Sequence, residues 1–126
     1  MLSLHTGKSL VYCAEWTLRL PLQKLDARVP PRPADCKRVF HLYIVFAERR
    51  DDLLEYCLDK GIEAKIHYPI PLYLQKGLAH LGYKPGDFPV TDRHAKSIIS
   101  FPCDQHLARD QQDYVISAVH DFYAGR

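Results

Sequence analysis

His67 and Tyr68 stand in the segment KIHYPIPLYLQ, where two prolines follow within three residues. An imidazole donates or accepts a hydrogen bond and changes charge near neutral pH, and a phenol donates or accepts. Proline fixes the backbone and lacks an amide donor, so Pro69 and Pro71 end any strand or helix here. The two side chains are therefore predicted at the end of an element, where functional residues are common. The spacing alone favours the simpler alternative, a packed histidine and tyrosine with a structural role.

The remaining chemically capable residues give weaker patterns. The seven histidines and four cysteines form no C-x-x-C pair and no H-x-x-x-H spacing, so no metal site is predicted. Cys103 precedes His106 by three residues, but we interpret Cys103 as a packing residue beside a turn rather than a nucleophile. The segment HTGKS at 5–9 lacks the first glycine of a phosphate loop.

Composition narrows the class of protein. A chain of 126 residues with 47% hydrophobic and 25% charged residues is typical of one soluble globular domain. The net charge of +2 and the scattered basic residues argue against a nucleic-acid partner. No apolar run is long enough for a membrane span or a signal peptide. The cysteine pattern favours a reducing compartment, so we expect a cytoplasmic protein.

Hydrophobic periodicity changes at residue 39. Residues 1–38 are weakly periodic, with a short helix or strand at 16–25 and a proline-rich linker, VPPRPADC, at 29–36. The elements predicted after this point are a strand at 39–47, a helix at 49–61, a strand at 62–68, a helix at 72–82, a turn at 83–89, a helix at 91–100, an edge strand at 101–103 and a helix at 108–124. This order predicts an α+β fold, with a small antiparallel or mixed sheet covered by helices.

Residue types add detail to these elements. The strand at 39–47 is a near-continuous apolar run, which predicts burial on both faces. In the first helix, Leu54, Cys57 and Leu58 are predicted to form the apolar face. Thr91 is a plausible cap for its helix, whereas Ala108 stands at the expected cap position of the last helix and cannot accept a hydrogen bond.

From about residue 41 to about residue 123, the chain resembles the DegT–DnrJ–StrS family of aminotransferases. The resemblance rests on four motifs in order: HLY at 41–43, GI…IHYPIPL at 61–72, LGY…GDFPVTD at 81–92, and a final V…V..FY. Members depend on pyridoxal phosphate (PLP) and act on keto-sugars carried on nucleotides. The resemblance implies that 39–126 forms a small domain like the C-terminal domain of a fold-type I PLP aminotransferase, and that 1–38 is a poorly matched N-terminal segment.

The same resemblance assigns roles to individual residues. His67 and Tyr68 are implied to bind and position the substrate, and neither is implied to be the catalytic base. Many relatives carry a histidine at the position of Tyr73, so this chain departs from the family there. The lysine that bonds PLP lies in a large N-terminal domain of the family, and this chain begins too late to contain it. Lys8 lies only 33 residues before His41, so no catalytic or cofactor-binding residue is assigned.

The resemblance therefore predicts a truncated C-terminal part of an aminotransferase, which transfers an amino group from a glutamate-type donor to a keto-sugar nucleotide. By itself the chain is expected to be inactive, not to bind PLP, and to expose an apolar face that the large domain normally covers. Its implied partners are a nucleotide-sugar, a second copy of the chain, or a full-length relative. Two alternatives stay open: a stand-alone binding or dimerisation module, and a non-functional gene remnant.

Overall fold

The computed structural model describes residues 27–30, residue 35, residues 41–104 and residues 106–125. The short element predicted at 16–25 and most of the predicted linker at 29–36 lie outside the described residues. The described elements, in chain order, are β1 (Ala27–Arg28), β2 (Tyr43–Ala47), α1 (Arg50–Asp59), two 3₁₀ helices (Leu72–Leu74 and Lys76–Leu81), α2 (Pro89–Ser97), β3 (Ile98–Phe101) and α3 (Arg109–Ala124).

The three strands form one antiparallel sheet in the order β1-β2-β3, with β2 at the centre. Ala27 pairs with Ala47, and Tyr43 pairs with Phe101. On its other edge, β3 makes one isolated antiparallel bridge, between Ser100 and Lys65. The predicted α+β class, with helices covering a small sheet, is confirmed, and the sheet is antiparallel rather than mixed.

The central strand places one face in the core. Tyr43, Val45 and Ala47 are buried, whereas the intervening Ile44 and Phe46 are half-buried. The ring of Phe46 contacts that of His94, with 4.6 Å between the centroids. The prediction of a strand buried on both faces is therefore wrong, because the second face is only partly covered. Among the described residues the strand also begins at residue 43 rather than 39.

Helix α1 packs on the sheet through a face that matches the predicted one only in part. Leu53 and Cys57 are buried with no exposed surface, Leu54 is half-buried, and Leu58 is 54% exposed. The helix begins after Arg49, whose φ of 52° is left-handed. Cys57 was assigned correctly to the core, but Leu58 was not, because the inward face is formed by Leu53 and Cys57, which lie four residues apart on the helix.

The chain between α1 and β3 contains less regular structure than predicted. The predicted strand at 62–68 is reduced to the single bridge at Lys65, although Ile62 and Ala64 are buried as its alternation requires. The predicted helix at 72–82 is replaced by the two 3₁₀ helices, which end before Gly82 at a φ of 74°. Pro69 and Pro71 lack the amide hydrogen needed to continue backbone pairing with β3, so the chain forms short 3₁₀ turns after them.

The next helix and strand are both displaced from their predicted bounds. Helix α2 starts at Pro89, with Phe88 as its N-terminal flanking residue. Proline suits the first helical position because its missing amide has no partner there, so the proposed cap at Thr91 lies inside the helix. The strand predicted at 101–103 instead occupies Ile98–Phe101, directly after α2.

Helix α3 matches its prediction closely. Ala108 is its N-terminal flanking residue and makes no side-chain cap, as predicted. Its backbone amide donates to Gln111 Oε1 over 2.9 Å, which is one half of a capping box. The buried face of the helix comprises Gln112, Val115, Ala118, Val119 and Tyr123. In the part of the chain that the structure describes, no helix has the length and apolar character needed to cross a bilayer.

Two leucines of α1 offer a matched test of this packing. Leu53→Ala removes a fully buried side chain and should lower the free energy of unfolding by about 2–5 kcal/mol. Leu58→Ala makes the same chemical change at an exposed position and should lower it by less than about 1 kcal/mol. Urea denaturation followed by circular dichroism measures both. Equal losses in the two variants would contradict the observed helix orientation.

Candidate functional site

The predicted site residues lie where the chain leaves the edge of the sheet. Lys65 N–H donates to Ser100 O over 3.0 Å, and Ser100 N–H donates to Lys65 O over 2.8 Å. Two residues further on, His67 Nδ1 lies 3.0 Å from Ser100 Oγ. Ser100 is buried and His67 is half-buried. The histidine is thus fixed to the sheet in two ways: by the backbone hydrogen bonds of Lys65, two residues earlier, and by the contact of its own side chain with Ser100.

Tyr68 lies directly beside this anchored histidine. Its side chain is 67% exposed, and its ring meets that of His67 edge-on with 5.6 Å between the centroids. The peptide bond joining the two residues is cis. The structure therefore brings together one anchored imidazole and one exposed phenol just after the isolated bridge at Lys65, where the sequence predicted the end of a regular strand.

A second polar cluster is centred on Asp92, which the sequence analysis did not select. Tyr73 O–H donates to Asp92 Oδ1, and Gly86 N–H donates to Asp92 Oδ2 over 2.8 Å. Partial burial, followed by the neighbouring Asp92 carboxylate, raises the pKa of Tyr73, so its phenol remains a donor. Since Tyr73 and Asp92 are 19 residues apart, no local pattern identified the pair.

Aromatic rings extend this cluster. The ring centroid of Phe88 lies 4.8 Å from that of Tyr73 and 5.1 Å from that of Tyr83. The two tyrosine rings also meet edge-on at 6.3 Å. Because these rings and the Asp92 hydrogen bonds link the 3₁₀ region, the turn and α2, they hold the segment that follows His67 and Tyr68 in place.

Among the described residues, the segment 68–90 carries most of the exposed large hydrophobic side chains. Seven of the nine exposed large hydrophobic side chains among the described residues lie in it: Tyr68, Ile70, Leu72, Leu81, Tyr83, Phe88 and Val90. Concentrated apolar exposure of this kind is characteristic of surfaces that contact another molecule or domain. The sequence analysis expected an exposed apolar face, and this segment provides one.

An open cleft of about 530 Å³ lies between the end of β2 and α2. Its lining carries charges of both signs, including Glu48, Arg49, Asp92, Arg93 and Lys96. It contains neither His67 nor Tyr68. The cleft is therefore separate from the predicted substrate-binding pair, although Asp92 contributes to both the cleft wall and the aromatic cluster.

Cys57 and Cys103, the two cysteines in the described ranges, both contribute to packing. Burial raises the pKa of Cys57 to about 11, so its thiol stays protonated near neutral pH and is a poor nucleophile. Cys103 is half-buried and packs against the core, which agrees with its interpretation as a packing residue. Within the described ranges, no three His, Cys, Asp or Glu side chains are grouped to hold a metal ion.

Amide hydrogen exchange tests the role of Asp92. Asp92→Ala removes the acceptor of the Gly86 amide and should accelerate exchange at that amide roughly tenfold, because hydrogen bonds to charged groups are the stronger ones. Asp87→Ala is the matched control, since Asp87 Oδ2 accepts from Lys84 N–H over 2.9 Å in the same turn. The control should release the Lys84 amide and leave Gly86 protected. Unchanged exchange at Gly86 in Asp92→Ala would contradict the assignment.

Comparison with known proteins places the chain in a family. The model of the DegT/DnrJ/EryC1/StrS aminotransferase family matches residues 15–120. The pleiotropic regulatory protein of Geobacillus stearothermophilus is 36% identical over 113 residues, which are 89% of this chain and 30% of that protein. The dTDP-3-amino-3,4,6-trideoxy-alpha-D-glucose transaminase of Micromonospora megalomicea subsp. nigra is 40% identical over 90 residues, 71% of this chain and 24% of that enzyme.

A solved structure agrees with these matches. The crystal structure of S. venezuelae DesV in complex with a ketimine intermediate superposes with a TM-score of 0.85 at 31% identity, covering 93% of this chain and 31% of DesV. The chain thus spans less than a third of each of these three relatives.

The family match also begins earlier in the chain than the quoted motifs do, at residue 15. Strand β1, at residues 27 and 28, belongs to the same sheet as β2. The domain boundary at residue 38 stays a prediction, because residues 36–40 lie outside the described residues. On the extent of the family match and the agreement of the folds, the chain belongs to the DegT/DnrJ/EryC1/StrS aminotransferase family.

Proposed function

We propose that this chain supplies the C-terminal, substrate-positioning part of a PLP-dependent aminotransferase that acts on keto-sugar nucleotides, with a glutamate-type amino donor. Family membership and the names of relatives that are transaminases of dTDP-linked sugars support the reaction class. The observation that carries the positioning role is the pair of His67, anchored to buried Ser100, and exposed Tyr68 beside it.

The chemistry of this pair suits a nucleotide-sugar. Such a substrate presents phosphate, hydroxyl and carbonyl oxygens, which are hydrogen-bond acceptors that an imidazole or phenol can recognise. An anchored histidine loses little conformational freedom on binding, so its hydrogen bond contributes more to affinity. His67 and Tyr68 are therefore proposed to bind and orient the substrate, and no proton-transfer step is assigned to either residue.

The cofactor is proposed to be held elsewhere in a complete enzyme. PLP supplies the electron sink for amino transfer when bound, and it needs a lysine amine and an acid facing its ring nitrogen. All lysines in the described ranges are exposed: Lys60, Lys65, Lys76, Lys84 and Lys96. Only Lys96 borders the cleft described above, which is open to solvent. The described residues on their own therefore do not fit PLP.

The exposed segment 68–90 suggests how the rest of such an enzyme is joined. Its apolar side chains are proposed to pack on a full-length relative or a second copy of the chain, next to His67 and Tyr68. The same exposure favours a second candidate function, a stand-alone binding or dimerisation module without catalysis. A reducing, cytoplasmic location forms part of the proposal, and the burial of Cys57 as a packing residue in the hydrophobic core is consistent with it.

Borohydride trapping tests the proposed absence of cofactor chemistry in the isolated chain. The purified 126-residue chain is incubated with PLP, reduced with borohydride and analysed by peptide mass spectrometry. We expect only low, scattered labelling of exposed lysines, and no turnover with glutamate and a keto-sugar nucleotide. The S. venezuelae enzyme serves as the positive control. Stoichiometric labelling of one lysine, Lys8 included, or measurable turnover would show that the chain carries out the chemistry by itself.

A chimera tests the substrate-binding role in a catalytic setting. Residues 41–120 of this chain replace the matching part of the S. venezuelae enzyme, and steady-state kinetics are measured with its sugar-nucleotide substrate. His67→Ala and Tyr68→Ala should each lower kcat/KM about fivefold, since one net hydrogen bond contributes about 1 kcal/mol.

Tyr114→Ala is the matched control for that chimera. Tyr114 is 51% exposed on α3 and donates to Lys60 O over 2.9 Å, so its loss should leave kcat/KM within about twofold of the parent. Parent kinetics in both site variants would refute the positioning role. Equal losses in all three variants would point to general destabilisation instead.

A further inference from the structure

Ser100 occupies the junction between the sheet and the proposed site. Its backbone pairs with Ile44 of β2 on one side and with Lys65 on the other. The residue is only 4% exposed. Its hydroxyl lies 3.0 Å from His67 Nδ1, and no other hydrogen bond to this hydroxyl occurs among the described residues. A buried hydroxyl with one partner restricts how that partner can be protonated.

The direction of this hydrogen bond follows from the cost of burying an unpaired donor. If His67 Nδ1–H donated to Ser100 Oγ, the serine proton would be left in the protein interior without an acceptor, which is unfavourable. If Ser100 O–H instead donates to an unprotonated Nδ1, the serine proton has an acceptor. Only the lone pairs of Ser100 Oγ are then left without a partner, which costs less than an unpaired buried O–H. The second arrangement is therefore the more stable one for neutral histidine.

We propose that Ser100 is a positioning residue that holds neutral His67 in the tautomer with its proton on Nε2. Nε2 makes no hydrogen bond within the part of the chain that the structure describes, so its N–H is available to a ligand. This inference rests on the proposed substrate-binding role of His67 and deepens it. His67 then recognises a ligand oxygen that accepts a hydrogen bond, such as a phosphate oxygen.

The same arrangement limits what His67 does chemically. In this tautomer the lone pair of Nδ1 is occupied by the Ser100 proton, and Nε2 already carries its own proton. Neutral His67 then has no free lone pair with which to accept a proton from a substrate, so it serves as a donor and not as a general base. Ser100 thereby determines the specificity of the site for acceptor atoms without touching the ligand.

Nitrogen-15 NMR of the uniformly labelled 126-residue chain reads the tautomer directly. Long-range proton–nitrogen spectra are recorded at a pH where imidazoles are neutral, and His67 is assigned by comparison with His67→Gln. We expect Nε2 to give a protonated-type resonance and Nδ1 an unprotonated-type resonance. A protonated Nδ1, or the averaged shifts of a freely exchanging imidazole, would overturn the proposal. If His67→Gln folds poorly, through-bond spectra that connect the His67 ring to its backbone assign the resonance in the unmutated chain.

Two serine variants test the part played by the hydroxyl. Ser100→Ala should move the His67 resonances toward tautomer averaging. Ser97→Ala is the control, since Ser97 Oγ donates to Arg93 O over 3.1 Å within α2, and it should leave them unchanged. Unaltered His67 resonances in folded Ser100→Ala would overturn the role of Ser100.

A titration with dTDP separates this inference from the proposed function. Perturbation of the His67 Nε2 resonance by dTDP supports both the donor role and substrate binding. A second outcome is that the tautomer is as stated, but dTDP neither shifts the Nε2 resonance nor slows exchange of the Nε2 proton with solvent. In that case the substrate-binding role fails, while the serine–histidine arrangement stands. A shift confined to Nδ1 would overturn the donor assignment itself.

Discussion

The pairing of β3 with its two neighbours is the interaction on which the rest of the molecule depends. On one edge β3 joins the central strand, and on the other it makes the two backbone hydrogen bonds between Ser100 and Lys65. Ile99, next to Ser100, has no exposed surface. Burial of Ile99 fixes the strand, the strand fixes Ser100, and Ser100 fixes His67. The position of the proposed site is therefore set by hydrophobic packing, although the site itself is polar.

The chain between Lys65 and Ser97 depends on a different kind of interaction. This stretch contributes no buried hydrophobic residue to the core of the described structure. Besides its bridge to β3, it is held by hydrogen bonds to Asp92, by aromatic contacts and by hydrogen bonds from Arg50. Arg50 Nη1 donates to Ala95 O and Ile98 O over 3.1 and 3.2 Å, which joins α1 to the end of α2. Segments held by a few polar contacts open more readily than segments held by a core. Such a segment can adapt to a covering surface, which is consistent with its exposed apolar side chains.

How far the sequence predicted the molecule depended on whether the signal was local. Helices α1 and α3 have periodic apolar patterns and β2 has a near-continuous apolar run, each within one segment, and the existence of these elements was predicted correctly. Strand β1 has two residues, and it exists because Ala27 and Arg28 pair with a distant strand, which no local pattern records. The face of α1 was misjudged because Leu53, Leu54 and Leu58 are chemically alike, and only packing against β2 and β3 separates them.

The site shows the same division. Prolines predicted correctly that regular structure stops here, because proline acts on its immediate neighbours. His67 and Tyr68 nevertheless follow an isolated bridge at Lys65 and not the end of the predicted strand. The partner of His67 is 33 residues away, and that of Tyr73 is 19 residues away, so both pairings depend on the tertiary fold. The proposed substrate-positioning role depends on this arrangement, because a packed core gives rigid support to the two groups that are proposed to contact the ligand.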